Sequence, residues 1–125
     1  MKCIMKEVSF DFEGLSVYQK ALDFIDEVYK QTQTFPQKEL YGLSSQFIRA
    51  ACSISLNIAE GKGDSNAQFN RFLNIAKNSA KECVVCSTIA FRQGYIKKSK
   101  DLDNRMQLAE LLKMIAGLQR FLKER

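Results

Sequence analysis

A chain of 125 residues is long enough for one domain with a real core, and 46% apolar with 26% charged residues is the ordinary balance of a water-soluble globular protein. No apolar run reaches the roughly 18 residues that a membrane-spanning helix needs. The net charge is +5 and there is no histidine, which removes the commonest general base and a leading zinc ligand.

The opening Met1-Lys2-Cys3-Ile4-Met5-Lys6 is charged too early for a signal peptide, so the expected compartment is the cytoplasm. Residues 1–13 read as a short N-terminal arm with Phe10 and Phe12 tucked against the rest. A first helix is predicted from about Leu15 to Gln33, because Leu15, Tyr18, Leu22, Ile25 and Tyr29 recur at three- and four-residue steps. Thr34-Phe35-Pro36 breaks it.

A second helix is predicted from about Gln37 to Glu60, with Gly61 as its C-terminal cap. Leu40, Leu43, Phe47, Ala50, Ile54 and Ile58 form one apolar stripe, and Tyr41, Ile48, Cys52, Leu56 and Ala59 cover much of the opposite side. Between them runs a narrow polar seam of Gln46, Arg49, Ser53, Asn57 and Glu60. A helix apolar on two sides is a buried helix. A lone bundle of this size seldom buries one helix on both sides, so a subunit interface is expected and the seam is expected to be buried with it.

Asp64 or Ser65 can cap a third helix from about Asn66 to Gln93. Its inward face is Phe69, Phe72, Leu73, Ala76, Ala80, Cys83 and Phe91. Gly94 ends it and Tyr95-Ile96 packs back. After a basic turn, Asp101 or Asp103 can start a fourth helix with the stripe Leu108, Leu111, Leu112, Ile115, Leu118 and Leu122. Nothing alternates with period two over a useful length. The expected fold is all-α, an antiparallel up-down-up-down four-helix bundle spanning residues 1–125 as a single domain.

Charge is distributed unevenly. Residues 1–40 hold five lysines against seven carboxylates, whereas residues 62–100 hold eight cations against two carboxylates. On the third helix Arg71, Lys77, Lys81 and Arg92 share an outward arc with Asn70, Asn74, Asn78 and Thr88, and Lys97, Lys98 and Lys100 follow in the next turn. Cations spaced along a face and interleaved with amides suit phosphate contacts without base reading. The competing interpretation is a basic face that serves solubility alone.

Signals for catalysis are thin. Gly61-Lys62-Gly63-Asp64-Ser65 resembles a phosphate loop only superficially. Leu56 stands where the first glycine belongs, Gly63 stands where Ser or Thr belongs, and a helix precedes it instead of a strand. In the cytoplasm the four cysteines read as reduced thiols. Cys83 and Cys86 have C-x-x-C spacing, but they lie mid-helix on an apolar arc, where cysteine acts as a small hydrophobe. Cys3 and Cys52 share no ligand spacing with them, so no metal and no cofactor is expected. Arg49 and Glu60 are about 16 Å apart along their helix, too far to pair directly. The seam is read as a polar network that specifies helix order or subunit pairing. The competing view makes Glu60 a catalytic or pocket carboxylate.

The order Phe35-Pro36, Glu39, Tyr41-Gly42-Leu43, Gln46, Arg49-Ala50-Ala51, Ser53-Ile54 and Asn57-Ile58-Ala59-Glu60-Gly61 resembles the bacterial four helix bundle protein family. That family includes proteins encoded in intervening sequences of the large ribosomal RNA. Phe12, Leu15, Val17-Tyr18-Gln19, Phe69, Phe72-Leu73, Ser79, Glu82 and Gly94-Tyr95-Ile96 extend the match over roughly residues 12–120. Gly14 stands where members commonly have an acidic residue, and Ser55 where they have proline, which should leave the second helix straighter. The resemblance implies a ring-like homo-oligomer, a pentamer. It is similar also to the accessory protein of diversity-generating retroelements, a bundle that partners a reverse transcriptase and nucleic acid. The expectation is therefore a non-enzymatic, pentameric protein that binds RNA or DNA, or scaffolds a nucleic-acid-processing protein, through basic helix faces. The alternative is a protein-interaction module with no nucleic-acid role.

Overall fold

The computed structural model describes residues 7–124. Every regular element among them is helical: a 3-10 turn at Asp11–Gly14, α1 at Ser16–Thr32, a 3-10 turn at Gln37–Glu39, α2 at Leu43–Gly61, α3 at Asn66–Arg92 and α4 at Lys98–Lys123. Each long helix packs on its chain neighbours, and α1 closes the bundle against α4. This is the expected antiparallel four-helix bundle. The α2–α3 seam is the most extensive and the α1–α4 seam the thinnest. No helix of the described residues is long and apolar enough to cross a membrane.

The core forms where the apolar stripes converge. Phe24, Phe47, Ile54, Ile58, Leu73, Leu108, Leu111 and Ile115 are fully buried. Phe24 of α1 meets Phe47 of α2 with ring centroids 6.4 Å apart, inside the range of favourable aromatic pairs. In the N-terminal arm, Phe12 packs edge-on against Tyr18 and Phe10 stacks on Phe12, which leaves Phe10 itself exposed. Residues 1–6 of the arm, including Cys3, lie outside the described residues.

Three helix boundaries differ from expectation, each for a tertiary reason. The second helix does not run from Gln37. A short 3-10 turn ends at Glu39, Gly42 takes non-helical angles, and α2 starts at Leu43. The Glu39 carboxylate stabilises the break. One oxygen accepts the Leu43 N–H at 3.1 Å, satisfying a free amide of the new helix, and the other accepts the Tyr95 hydroxyl at 2.8 Å from the α3–α4 turn.

Gly61 is not a left-handed cap. It is the last residue of α2, and a Cβ there would lie 2.7 Å from the Phe69 ring and 3.0 Å from Phe72 Cβ. The glycine is needed so that α2 can touch the start of α3. The positive-φ position falls to Gly63, at φ 93°. Ser65 caps α3 as expected, accepting the Gln68 N–H, and Gly94 ends it at φ 79°.

The fourth helix begins at Lys98, ahead of both aspartates. Asp101 is not a cap. It turns inward and is 2% exposed.

Candidate nucleic-acid interface

The flanks of α3 are set by what each polar side chain reaches. Toward α4, the Gln119 amide donates to Asn74 Oδ1 at 2.8 Å, Lys77 Nζ donates to Gln119 Oε1 at 3.2 Å, and the Arg105 guanidinium donates to the Thr88 hydroxyl. The Asn74–Gln119 and Thr88–Arg105 contacts share one antiparallel register, which brings Lys81 level with Leu112 and Lys113. Toward α2, Ser79 Oγ lies 2.8 Å from Ser53 Oγ.

These landmarks sort the expected phosphate-binding residues. Lys77, Lys81 and Arg92 lie on the outer edge of α3 beside α4, with Lys81 and Arg92 exposed and Lys77 half-buried against Gln119. Lys98 joins them, its ammonium 4.9 Å above the Phe91 ring. Arg71 turns the other way. It bonds Gln68 and borders a recess with Ile75, on the α2 side. Lys97 and Lys100 face α1 across a recess with Lys30 and Thr34, and Lys100 lies 3.7 Å from Glu27 and 3.9 Å from Asp103. The amides of the arc are also partly committed, since Asn74 is held by Gln119.

The structure adds cations that the sequence reading passed over. Lys113, Arg120 and Lys123 are exposed on α4. Of the carboxylates here, Glu82 lines the α2–α3 groove, Glu110 pairs with Lys20 of α1 at 3.1 Å, Asp103 approaches Lys100 and Asp101 is buried under Arg105, while Glu124 is exposed just past Lys123 at the end of α4. The signal that could have found the α4 row is the spacing of its cations at seven and three residues, Lys113 to Arg120 to Lys123, which keeps them near one flank.

The polar seam of α2 lies on its outer side. Gln46, Arg49 and Glu60 are exposed in the single chain, and Ser53 and Asn57 are half-buried. Asn57 Nδ2 donates to the Ser53 carbonyl and hydroxyl within the helix. Gln46, Arg49 and Ser53 line a groove of about 600 Å³ with Tyr41, Asn78 and Glu82. Glu60 lies beyond it, so the structure does not gather the seam into one site. Arg49 and Glu82 make no ion pair among the described residues.

A family model for the 23S rRNA-intervening sequence protein matches residues 13–117. The chain belongs to this family. No curated protein matches. The chain is similar in fold to a protein of unknown function from the S23 ribosomal protein family of Bacteroides thetaiotaomicron, with TM-score 0.76 and 24% identity over 83% of this chain and 95% of that one. Neither name carries an enzymatic activity.

In this family member the cysteines sit apart from the cationic face. Burial raises the Cys83 thiol far above its ordinary range and pushes Cys86 up to about 11, so both stay protonated at neutral pH. No group of three or more potential metal ligands assembles among the described residues.

A buried hydrogen-bond network escaped the sequence reading altogether. Gln31 of α1 and Asn104 of α4 exchange amide bonds at 2.8 and 2.9 Å. Asn104 also donates to Ser87 Oγ at 2.9 Å, and Ser87 donates to Asp101 at 2.7 Å. Arg105 Nε closes the chain on Asp101 at 3.0 Å. Burial pushes the Asp101 carboxyl up, but the bonds from Ser87 and Arg105 outweigh it and hold the group below the usual carboxylate range. The network joins α1, α3 and α4 and supports the Arg105–Thr88 contact that sets the register of the cationic face.

Proposed function

We propose that this protein is a non-enzymatic, oligomeric nucleic-acid-binding protein that works through the outer cationic edge of α3. The observation that carries the reading is the sorting of charge. Lys77, Lys81 and Arg92 share one flank, while Glu82, Asp103 and Glu110 turn toward α2 or α1. An edge with uncompensated positive charge draws polyanions and releases their counterions on binding. Nothing on it resembles a base-reading element, so sequence preference is weak. On this reading the protein acts in the cytoplasm, on RNA or DNA or beside a protein that processes them.

Assembly into a homo-oligomer, a ring of five, belongs to the same proposal. Support comes from α2, where Leu56 is 66% exposed and Tyr41, just before the helix, 93% exposed, with Ile48, Cys52 and Ala59 half-buried nearby. A ring repeats the cationic edge and multiplies its attraction for a polyanion. Light scattering tests it: a mass of one chain across micromolar concentrations contradicts assembly.

Binding is tested by titrating labelled RNA and DNA at about 50 mM salt. Wild-type protein should bind with affinity that falls steeply as salt rises, and Lys81→Glu with Arg92→Glu should abolish it. Lys77 is left intact in this variant because its ammonium also serves Gln119. A second reading, a protein-interaction module, is favoured by the α2–α3 groove, which presents Arg49 and Glu82 together. Mixed charge suits a protein surface better than a polyanion. Absence of nucleic-acid binding together with a defined protein partner would select it.

A further inference from the structure

The geometry points to a double-stranded nucleic acid as the partner of the α3–α4 face, gripped by two rows of cations that seat on its two phosphate strands. The inference rests on the nucleic-acid reading above and goes further by assigning α4 an equal share and by naming the form of the ligand.

The first row is Lys77, Lys81 and Arg92 on α3, spanning about 22 Å of helix. The second is Lys113, Arg120 and Lys123 on α4, all exposed and none in an ion pair among the described residues. The shared register of Asn74–Gln119 and Thr88–Arg105 sets the rows side by side, so that Lys81 stands level with Lys113. Packed helices lie about 8–10 Å apart axis to axis, and the two rows rise from these neighbouring axes. That is the scale of a duplex groove, roughly 6–12 Å wide between its two backbones in B-form. Two parallel rows at this spacing suit two strands of phosphate better than one.

The chemistry of the face argues in the same direction. Proteins that hold single strands add aromatic side chains on which unpaired bases stack. The exposed aromatics among the described residues are Phe10, Tyr29, Tyr41 and Phe121. Tyr29 belongs to α1 and Phe10 to the arm, Tyr41 borders the α2–α3 groove, and Phe121 borders a recess with Leu15 and Leu118. Phe91 is half-buried beneath Lys98. The α3–α4 face thus offers charge without stacking, the requirement for reading a duplex through its backbone. Its rigidity has a cause as well: Gln119, Asn74 and Lys77 tie one end, and Thr88, Arg105 and Asp101 tie the other.

The test compares ligand forms and rows in the full chain. Fluorescence anisotropy would follow binding of an RNA duplex and a DNA duplex of about 20 base pairs, and of each separated strand, at about 50 mM salt. The duplexes should bind at least about tenfold tighter than the strands. Lys113→Glu with Arg120→Glu should weaken duplex binding at least about tenfold and reduce its salt dependence. Circular dichroism checks folding, and Lys113→Gln with Arg120→Gln, which adds no negative charge, decides the matter if the glutamate variant unfolds. Strands that bind as tightly as duplex, or an α4 variant that binds like wild type, overturn this inference. Loss of binding in the α3 variant would leave the broader reading standing. If neither duplex nor strand binds, the broader reading falls with it.

Discussion

The two seams on either side of α3 are built from different materials. Toward α2 the helices meet through small groups, Gly61 against Phe69 and Phe72 and Ser53 on Ser79, with the alanines Ala50, Ala51, Ala76 and Ala80 buried in the core. Toward α4 they are laced by longer polar side chains, Lys77 and Asn74 to Gln119 and Thr88 to Arg105, with Ser87, Asp101 and Asn104 buried beneath. Small residues set how closely two helices approach, whereas directional hydrogen bonds set their register. The difference extends to the surface. The α2–α3 groove exposes both signs of charge, while the α3–α4 face exposes cations.

The sharpest way to break the α2–α3 seam is to add bulk where it is tightest. Gly61→Val should cost about 2–3 kcal/mol by forcing the Phe69 ring and the end of α2 apart. Urea unfolding with an unchanged slope would read it. A midpoint equal to wild type would mean that the end of α2 is not held by Phe69.

The α3–α4 seam should respond to loss of one hydrogen-bonding carboxylate. Asp101→Asn should cost about 1–2 kcal/mol at neutral pH, toward the lower end because Arg105 is 42% exposed and solvent screens its charge. The sign of the pH effect follows from the depressed folded-state value. The carboxylate's contribution is present above its unfolded value near 3.8 and is lost as pH falls through the lower folded value. Wild type and variant should therefore begin to converge in stability below about pH 4 and continue to do so as pH falls further. Glu39 is lowered too, first by its bond from Tyr95 and then by that from Leu43, so the comparison needs both proteins across the same range. A gap that stays constant down to pH 2 would count against the role given to Asp101.

If the α2–α3 seam depends on size more than on hydrogen bonding, removing both hydroxyls should matter little. Ser53→Ala with Ser79→Ala should change stability by less than about 1 kcal/mol, since the two hydroxyls lose each other and Asn57 keeps its bond to the Ser53 carbonyl. A loss as large as that of Asp101→Asn would erase the proposed contrast between the seams.

The smallest effect concerns the tether from Glu39 to the α3–α4 turn. The Tyr95 hydroxyl is raised above its ordinary value by its bond to the Glu39 carboxylate. In Glu39→Gln the phenol should titrate closer to 10, visible as earlier growth of phenolate absorbance. An unchanged titration would show that the bond does not persist in solution.

Much of the bundle was legible because helix periodicity is local. The spacing of Leu108, Leu111, Ile115 and Leu122 places them on one stripe wherever the helix lies, and all four are buried. The Thr34-Phe35-Pro36 break, the Ser65 cap and the Gly94 stop act over one turn of chain and were likewise readable. The candidate interface was legible only in part. A single helical arc groups Arg71 with Lys81, yet the neighbouring helices divide that arc, sending Arg71 to the α2 side and leaving Lys81 beside α4.

By itself the sequence determined which segments are helical, which stripes are apolar and how many cations the second half of the chain carries, because each depends on residue type and on spacing within a few turns. The tertiary structure alone decided what those residues face. Asp101 looked like a helix cap and became a buried acceptor because Ser87 of α3 was brought to it, beside the local bond from Arg105 one turn on. Gly61 looked like a stop signal and became a point of close approach because Phe69 folds back on it. Lys81 and Lys113 are 32 residues apart in the chain and stand level only through the antiparallel register of α3 and α4. Such pairings depend on packing and hydrogen bonds between distant segments, and no local pattern encodes them.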